Sequence, residues 1–284
     1  MTHLPPPLPD IILEPIVRLA LSEDLGRAGD LTTDATIPEG TRFRSQITGR
    51  ETGVIAGLDA AILALRLIDP GVTYTIKTPD GAAVAKGQPV LTLEGDARSI
   101  LMAERTMLNF MGKLSGIATL TSQFVGAVCA FPTQIVCTRK TTPGHRALEK
   151  RAVRCGGGTS HRYGLDDAIL IKDNHIAACG SIETAVERAL GYAGHLRMVE
   201  VEVDTIDQLE ATIPLKPHAV LLDNMSLEDL RSAVEMVDGQ ILTEASGGVT
   251  LDRVAEIAAT GVDYISSGAL THSALNLDLG MDAL

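Results

Sequence analysis

The sequence predicts an α/β protein in which a smaller mixed region precedes a barrel of parallel strands. Three observations support this prediction. From about residue 134 short apolar strands alternate with helical segments, polar groups follow each of these strands, and glycine-rich turns follow the last two. Alternation of strands and helices with short connections is typical of a parallel sheet covered by helices.

The first 113 residues show no such regular alternation. "LPDIILEPIVRLALSEDL" has apolar residues at helical spacing, whereas "RSQITGRETGVIAG" and "VTYTIKTPDGAAVAKGQPVLTLEG" have the composition and turns of short strands. "ARSILMAERTMLNFMGKLSGIATLTSQFVGAV" predicts a long helix. We therefore predict an N-terminal α/β domain over residues 1–113, a barrel over residues 114–270, and a C-terminal segment, 271–284, that packs back on the first domain.

The second region contains six predicted strands, and helical segments separate most of them. The strands are "QIVCT", "DAILIK", "MVEVEV", "AVLLD", "ILTEA" and "DYISS". They are short, apolar and rich in β-branched residues, as expected for parallel strands buried on both faces. Helical spacing is found in "SIETAVERAL", "TIDQLEATI", "SLEDLRSAVEMV" and "TLDRVAEIAAT".

Groups able to do chemistry lie at the end of every predicted strand. A parallel barrel places its active site at the carboxyl ends of its strands, whereas an open doubly wound sheet uses that edge only where the strand order reverses. Six polar strand ends therefore favour a closed or nearly closed barrel. In chain order these groups are Arg139 and Lys140; Lys172, Asp173 and Asn174; Glu202 and Asp204; Asp223 and Asn224; Glu244, Ser246, Gly247 and Gly248; Ser267 and Gly268.

The charge distribution indicates a local anion site in an acidic protein. The net charge of -12 argues against nucleic acid or an anionic membrane as the main partner. Seven Lys and Arg residues nevertheless crowd into "TRKTTPGHRALEKRAVRCGGGTSHR". In a barrel Arg139 and Lys140 lie at the mouth of the first strand, the following loop brings Arg146, Arg154, His161 and Arg162 to the same rim, and Lys172 joins from the next strand. Such a cluster would hold a polyanion, and the alternative is a solvated basic loop. Lys150 and Arg151 are expected on a helix face, without a role in the site.

The turns after the last two strands predict a phosphate cradle. "EASGGVT" and "ISSGALTHS" offer free backbone N–H groups at the position where barrels often bind phosphate. The candidate residues are Ser246, Gly247, Gly248, Ser267 and Gly268.

Glu202 and Asp223 form a third group. They could ligate Mg²⁺ with several waters retained, stabilise positive charge developing on a sugar ring, or pair with Lys140 and Lys172. The sequence has no Walker motif and no G-x-G-x-x-G, so a nucleoside triphosphate or a dinucleotide is not supported.

Cysteine usage and the N-terminal segment point to a cytoplasmic protein. The four cysteines show neither C-x-x-C spacing nor paired histidines at zinc-site distances, which favours reduced thiols. "MTHLPPPLPD" lacks the basic and apolar regions of a signal peptide. The uncharged run over residues 114–138 contains many polar residues and indicates a buried helix followed by a strand, not a membrane span.

With these residues in view, the chain resembles the quinolinate phosphoribosyltransferases, also called carboxylating nicotinate-nucleotide pyrophosphorylases. The resemblance extends over nearly the whole chain. It is carried by "SEDLGRAGDLTT", "AERTMLNFMGKLSGIAT", "TRKTTPGHRALEKRAVRCGGGTSHR", "ILIKDNH", "VEVEVDT", "LLDN", "EASGG" and "GVDYISSGALTHS". It implies an N-terminal α/β sandwich, an open α/β barrel of the type II phosphoribosyltransferase kind, and a homodimer in which the sandwich of one subunit covers the barrel mouth of the other.

The resemblance also implies a reaction and a role for each matching residue. Quinolinate would be joined to the ribosyl C1 of phosphoribosyl pyrophosphate with loss of pyrophosphate and then of CO₂, giving nicotinate mononucleotide with Mg²⁺ and no redox cofactor. Quinolinate would be bound by Arg139, His161, Arg162 and Lys172, together with Arg105 from the neighbouring subunit. Phosphoribosyl pyrophosphate and its Mg²⁺ would be served by Lys140, Glu202 and Asp223, and the 5-phosphate by Ser246, Gly247 and Gly268.

Two departures and two alternatives accompany this interpretation. Ser160 stands where the family usually has Asn, and Leu275 where it usually has Pro; Ser160 could change the orientation of His161. A related barrel family of molybdenum-transport operons shares the scaffold but has a different glycine loop, so the motifs kept here favour quinolinate. The alternative outside the enzymes is a non-catalytic barrel that binds a phosphorylated metabolite, which would have little use for Glu202 and Asp223.

Overall fold

The computed structural model describes residues 6–284. The first five residues of "MTHLPPPLPD", on which part of the signal-peptide argument depends, lie outside the described part. Contacts divide the chain into two compact units. The N-terminal unit combines residues up to 122 with 141–157 and 271–284, and the barrel unit combines 123–140 with 158–270.

The described residues form helices and strands in nearly the order predicted from the sequence. The helices are α1 (Asp10–Leu25), α2 (Leu31–Thr36), α3 (Leu58–Ile68), α4 (Ala97–Ala127), α5 (Arg146–Cys155), α6 (Asp173–Cys179), α7 (Ile182–Ala193), α8 (Ile206–Thr212), α9 (Leu227–Val237), α10 (Val254–Ala258) and α11 (Ala269–His272). The strands are β1 (Arg42–Gly49), β2 (Gly53–Val54), β3 (Thr73–Ile76), β4 (Ala83–Val84), β5 (Pro89–Asp96), β6 (Gln134–Val136), β7 (Ile169–Ile171), β8 (Val199–Val203), β9 (Ala219–Asp223), β10 (Leu242–Ser246), β11 (Tyr264–Ser266) and β12 (Leu279–Ala283).

The N-terminal unit is built on an antiparallel sheet in the order β12-β1-β5-β3. Its outer strand β12 comes from the far end of the chain and pairs with β1, so that Gln46 lies opposite Asp282 on one side and Thr92 on the other. Burial alternates along the second half of β1, as expected for a sheet with one covered face.

The segment that leads into β12 lies directly on α4. The Leu277 N–H donates to the Gly112 carbonyl oxygen at 2.9 Å. One turn further along α4, a Cβ built on Gly116 would overlap the carbonyl oxygen of Leu275. Glycines at i and i+4 therefore allow the backbone to approach the helix this closely.

Part of the basic motif is structural. Lys150 and Arg151, expected on a helix face, lie on α5 but are 4% and 8% exposed. The Arg151 guanidinium contacts Asp80 at 2.6 Å and Asp59 at 3.4 Å. Because a buried charge is costly without a partner, loss of either acid would leave Arg151 poorly compensated.

The barrel unit contains six parallel strands in the order β6-β11-β10-β9-β8-β7. Strands consecutive in the chain are neighbours from β7 to β11, and β6 then adds beside β11. In the described chain β6 and β7 are the two edges, and a single bridge joins Val136 to Thr159. The prediction of an open α/β barrel after an N-terminal α/β region is confirmed.

Capped helices keep the connections after the strands short. Ser181, Thr205 and Ser226 precede α7, α8 and α9, and each side-chain oxygen accepts a hydrogen bond from the backbone N–H three residues later. The segment "TLDRVAEIAAT" is an exception, because only Val254–Ala258 is α-helical and a turn precedes it.

The uncharged run over residues 114–138 and the four cysteines all lie within the described part of the chain. Within residues 6–284, no helix is at once long and apolar enough to cross a membrane. Residues 114–138 form the end of α4 and the strand β6. None of the four cysteines is in a disulfide, and Cys137 is buried directly after β6.

Gly116→Ala should destabilise the protein by at least about 2 kcal/mol, because the new methyl group overlaps backbone that cannot rotate away. Gly126→Ala is the matched control, since Gly126 lies in the same helix and a Cβ there meets nothing within 4 Å. The control should be neutral or stabilise by up to about 1 kcal/mol. Urea unfolding of both variants tests the prediction, and equal stabilities would contradict it.

Candidate active site

The inner face of the six-stranded sheet carries the acidic residues of the site. Along β8, Val199, Val201 and Val203 are fully buried, and the intervening Glu200 and Glu202 point to the opposite face. Register places Glu202 opposite Leu221, and Leu221 opposite Glu244. Alternation along each strand therefore brings carboxylates from β8, β9 and β10 to one face.

A cavity of about 410 Å³ opens above this face. Its walls come from the inner side of β7 to β11, the segment after β6 and the loop before β7. It is lined by Thr138, Arg139, Lys140, His161, Arg162, Leu170, Lys172, Glu202, Leu221, Asp223, Glu244, Ser246 and Ser266. All the residues of the barrel unit predicted to bind quinolinate, and the three predicted catalytic residues, thus line one cavity.

Two arginines of the cavity have unsatisfied donors. The Nε atoms of Arg139 and Arg162 are buried without a hydrogen-bond partner among the described residues. The Arg162 Nη1 donates to the Ala168 carbonyl oxygen at 3.2 Å, which orients its guanidinium. Burial lowers the pKa of Arg162, and the nearby charge of Arg139 lowers it further. Because the two Nε donors are buried and the two guanidinium groups repel each other, an anion between them would be stabilised strongly.

The acids nearest the mouth of the cavity are partly engaged. The Lys172 ammonium group donates to Glu202, which is one of the pairings expected from the sequence. Asp223 accepts from the Asn224 amide at 2.6 Å. Lys140 is exposed, and its backbone N–H donates to Thr138 Oγ1.

His161 contacts two acids on the inner face of the sheet. Its Nε2 lies 2.9 Å from Glu200 Oε2 and 3.7 Å from Glu244 Oε1. Burial raises the pKa of Glu244 to about 7, the charge of Glu200 adds to the increase, and His161 opposes it. The Glu244 Oε1 atom makes no hydrogen bond with the described residues.

Two groups of residues have the donors for a divalent cation. Glu202 and Asp223 offer hard carboxylate oxygens on neighbouring strands at the cavity mouth, which suits Mg²⁺ that keeps several waters. One ligand atom each from His161, Glu200 and Glu244 also falls within 4.8 Å of the others. Because two of those atoms already form the 2.9 Å hydrogen bond, we interpret this second group as a hydrogen-bonded cluster.

A second cavity, of about 260 Å³, lies between the loops after β9 and β10. Gly247 has φ 90° and Gly248 has φ 58°, and a Cβ on Gly247 would overlap the Asn224 side chain. Ser246, Gly247 and Gly248 line this cavity together with Asn224 and Arg253. Ser246 also lines the larger cavity, so the two spaces adjoin.

Ser267 and Gly268 follow β11 and are not among the residues lining the second cavity. The Ser267 N–H donates to Val136, and its buried hydroxyl donates to the Val249 carbonyl oxygen at 3.4 Å. Ser267 thereby connects β6, β11 and the loop after β10.

Three further arginines singled out from the sequence belong to the N-terminal unit. Arg105 is an exposed residue of α4, and Arg146 and Arg154 lie on α5. None of the three lines the 410 Å³ cavity. Arg146 and Arg154 belong to residues 141–157, which are grouped with the N-terminal unit.

Sequence reasoning missed Glu200 and did not connect Glu244 with His161. The signal was present in "VEVEV", because strict alternation in a strand places both glutamates on the face opposite the valines. The contact of His161 with both acids depends on the path of an irregular loop, for which the sequence carries no comparable pattern.

Comparison with known proteins matches the two halves of the chain to two domains of one enzyme. Residues 30–115 match the N-terminal domain of quinolinate phosphoribosyl transferase, and residues 117–282 match the C-terminal domain of the same enzyme. This chain belongs to the quinolinate phosphoribosyltransferase family.

Individual relatives of the family match over most of their length. A Mycobacterium leprae protein named nicotinate-nucleotide pyrophosphorylase (carboxylating) is 47% identical over 271 residues, which cover 94% of this chain and 95% of the relative. A mitochondrial quinolinate phosphoribosyltransferase (decarboxylating) of Nicotiana tabacum is 41% identical and covers 98% of this chain and 84% of its own. The crystal structure of NadC from Streptococcus pyogenes superposes with a TM-score of 0.94 at 38% identity, covering 99% of this chain and 100% of that one. These matches support the quinolinate enzymes and not the molybdenum-operon relative or a non-catalytic barrel.

Glu244→Gln should change how the stability of this family member depends on pH. In the folded protein Glu244 keeps its proton up to a pKa of about 7, whereas the unfolded chain releases it near the ordinary value of 4.5. Since the folded state binds more protons in this interval, Glu244 lowers the free energy of unfolding as the pH rises from about 4.5 through 7.

The variant should therefore gain stability relative to the wild type across that interval, by on the order of 1–3 kcal/mol. Urea unfolding at pH 5, 6, 7 and 8 measures the difference. Glu235→Gln, at an exposed position of α9, is the control and should show no such trend. A constant difference for Glu244→Gln would show that Glu244 is already ionised at pH 5.

Proposed function

We propose that the 410 Å³ cavity binds quinolinate and that the adjoining 260 Å³ cavity binds the 5-phosphate of phosphoribosyl pyrophosphate. The family reaction transfers the phosphoribosyl group to quinolinate and releases pyrophosphate and CO₂, leaving nicotinate mononucleotide. The observation that carries the proposal is the pair of buried, unpartnered Nε donors on Arg139 and Arg162. Buried donors of this kind are costly until an anion satisfies them.

The acceptor is held by charge in this proposal. Arg139, Arg162, His161 and Lys172 are the cations placed to bind the two carboxylates of a pyridine dicarboxylate. Arginine suits such contacts because its fork of N–H groups matches a carboxylate. Lys172 would exchange its contact with Glu202 for one with the substrate.

The donor is held at the mouth of the same cavity. Lys140, Glu202 and Asp223 face the position that the ribose and pyrophosphate would occupy, and Ser246, Gly247 and Gly248 would supply N–H groups to the 5-phosphate. Ser267 and Gly268, which follow the neighbouring strand β11, would also contribute to binding the 5-phosphate. Glu202 and Asp223 would hold Mg²⁺; when bound, Mg²⁺ supplies positive charge that favours departure of the pyrophosphate.

Transfer breaks the bond from C1 to the pyrophosphate oxygen and forms a bond from C1 to the pyridine nitrogen. Positive charge develops on the ribose in between, and the carboxylates of Glu202 and Asp223 are placed to stabilise it. The ring nitrogen becomes cationic, so its positive charge stabilises the electron pair left on C2 when CO₂ departs. A proton then replaces the carboxylate at C2, and no redox cofactor is required.

The proposed enzyme is a homodimer in which Arg105 of one subunit completes the quinolinate pocket of the other. Arg105 is exposed on α4 and belongs to the N-terminal unit, which is consistent with this role. Assembly beyond the dimer is left open. We also propose that the enzyme acts in the cytoplasm, without nucleic acid or membrane as a partner, in accord with its net charge of -12.

Arg162→Lys should raise the KM for quinolinate at least about tenfold, because one ammonium group cannot replace the bidentate fork. Affinity for phosphoribosyl pyrophosphate should change less than about twofold, since the phosphate cavity is untouched. Assays follow nicotinate mononucleotide and CO₂ together, with nicotinate as a second acceptor. Arg231→Lys, on α9, is the control. Equal effects on both substrates, or product from nicotinate alone, would contradict the assignment of the acceptor.

Mixed dimers test the role of Arg105. Arg105→Ala and Glu202→Ala should each be nearly inactive alone. After the two variants are mixed and allowed to exchange subunits, half of the dimers are heterodimers with one intact site of two, so on the order of a quarter of the wild-type activity should return. The failure of activity to return although heterodimers are detected would mean that Arg105 does not act across the subunits.

A further inference from the structure

We propose that Glu200 and Glu244 are positioning residues that hold the imidazole of His161 in place at the acceptor end of the cavity. This inference rests on the proposed role of His161 in binding quinolinate. It assigns a purpose to two buried acids that neither the transfer nor the decarboxylation uses directly.

His161 lies on an irregular loop, so the backbone alone does not fix the orientation of its ring. Residues 160–163 belong to neither helix nor strand. The nearest fixed points are Thr159, whose backbone exchanges hydrogen bonds with Ile135 and Cys137, and Tyr163, whose N–H donates to Asp167 at 2.5 Å. A long-range contact to a strand is the means by which a ring on such a loop keeps one orientation.

Glu200 provides that contact from the rigid sheet. Its Oε2 lies 2.9 Å from His161 Nε2, and both side chains are only 13% exposed. In this proposal Glu200 accepts a hydrogen bond from His161 Nε2–H, which fixes both the orientation of the imidazole and the position of one proton.

Glu244 is the second buried acid that faces His161. It lies opposite Leu221 in the register between β9 and β10, and Leu221 together with Leu170 shows that leucine is accommodated on the same face. Its Oε1 is buried without a hydrogen-bond partner among the described residues, which costs stability. His161 Nε2, 3.7 Å away, is the cationic or polar group that this oxygen faces at salt-bridge distance.

Two acids together restrain the imidazole of His161. The arginines of the cavity then stay available to bind the substrate. Glu200 and Glu244 stand on β8 and β10, one on each side of the strand β9. The ring is thus approached from two strands that pair with a common neighbour. Removing the acids should weaken the binding of quinolinate more than that of phosphoribosyl pyrophosphate, because neither Glu200 nor Glu244 lines the phosphate cavity.

The test measures the KM and the dissociation constant of quinolinate and, separately, the affinity for phosphoribosyl pyrophosphate in the full-length enzyme. Glu200→Leu should raise the KM and the dissociation constant for quinolinate about tenfold, Glu244→Leu by a smaller factor, and both should leave the affinity for phosphoribosyl pyrophosphate within about twofold. Glu200→Gln keeps an accepting oxygen and should lie between wild type and Glu200→Leu; it also serves if the leucine variant does not fold. Glu235→Leu on α9 is the control for loss of an acid.

A double-mutant cycle decides whether the acids act through His161. In a His161→Asn background, Glu200→Leu should add less than about threefold to the KM for quinolinate. Ring ¹⁵N chemical shifts of His161 should report an Nε2–H tautomer or the doubly protonated ring in the wild type and a mixture in Glu200→Leu.

The outcomes separate this inference from the proposed function. If His161→Asn leaves quinolinate binding unchanged, the proposed role of His161 fails. If His161→Asn weakens binding but the glutamate variants do not, or if the effects multiply fully, the positioning role is overturned. A stoichiometric metal ion lost from Glu200→Leu would overturn it as well, by making the three residues ligands.

Discussion

Burial of charge on the inner face of the six-stranded sheet is the constraint on which the rest of the structure depends. The outer face of each strand must be apolar because helices cover it, as the three buried valines of β8 show. The inner face instead carries carboxylates, and a buried carboxylate needs a cation or a hydrogen bond. The pairs of Glu202 with Lys172 and of Glu200 with His161 meet that need.

The acidic residues of the site lie on strands, and most of its basic residues lie on irregular segments. The acids stand on strands, where register fixes them, whereas Arg139, His161 and Arg162 lie on irregular segments after β6 and before β7. The acids on the strands can thus hold His161, which contacts Glu200 and Glu244, before the substrate arrives. The arrangement keeps the cations from pairing fully, because Nε of both arginines stays without a partner among the described residues.

Most of the barrel was predictable because its signals are local. The sequence predicted six apolar strands with polar ends, and in this way it singled out Glu202 and Asp223, which line the cavity. The burial of Arg151 could not be predicted, because its partners Asp59 and Asp80 are 92 and 71 residues away in sequence and no pattern joins them. The grouping of α5 with the N-terminal unit likewise depends on contacts between residues far apart in the sequence.

The pairing of β12 with β1 has a consequence for the order of events during synthesis. The ribosome makes β1, β3 and β5 first, then the whole barrel, and only then the strand that completes the N-terminal sheet. Until β12 emerges, β1 is an open edge with unpaired N–H and C=O groups. The edge of β1 is therefore the place at which the nascent N-terminal unit could pair with another chain before its own last strand is made.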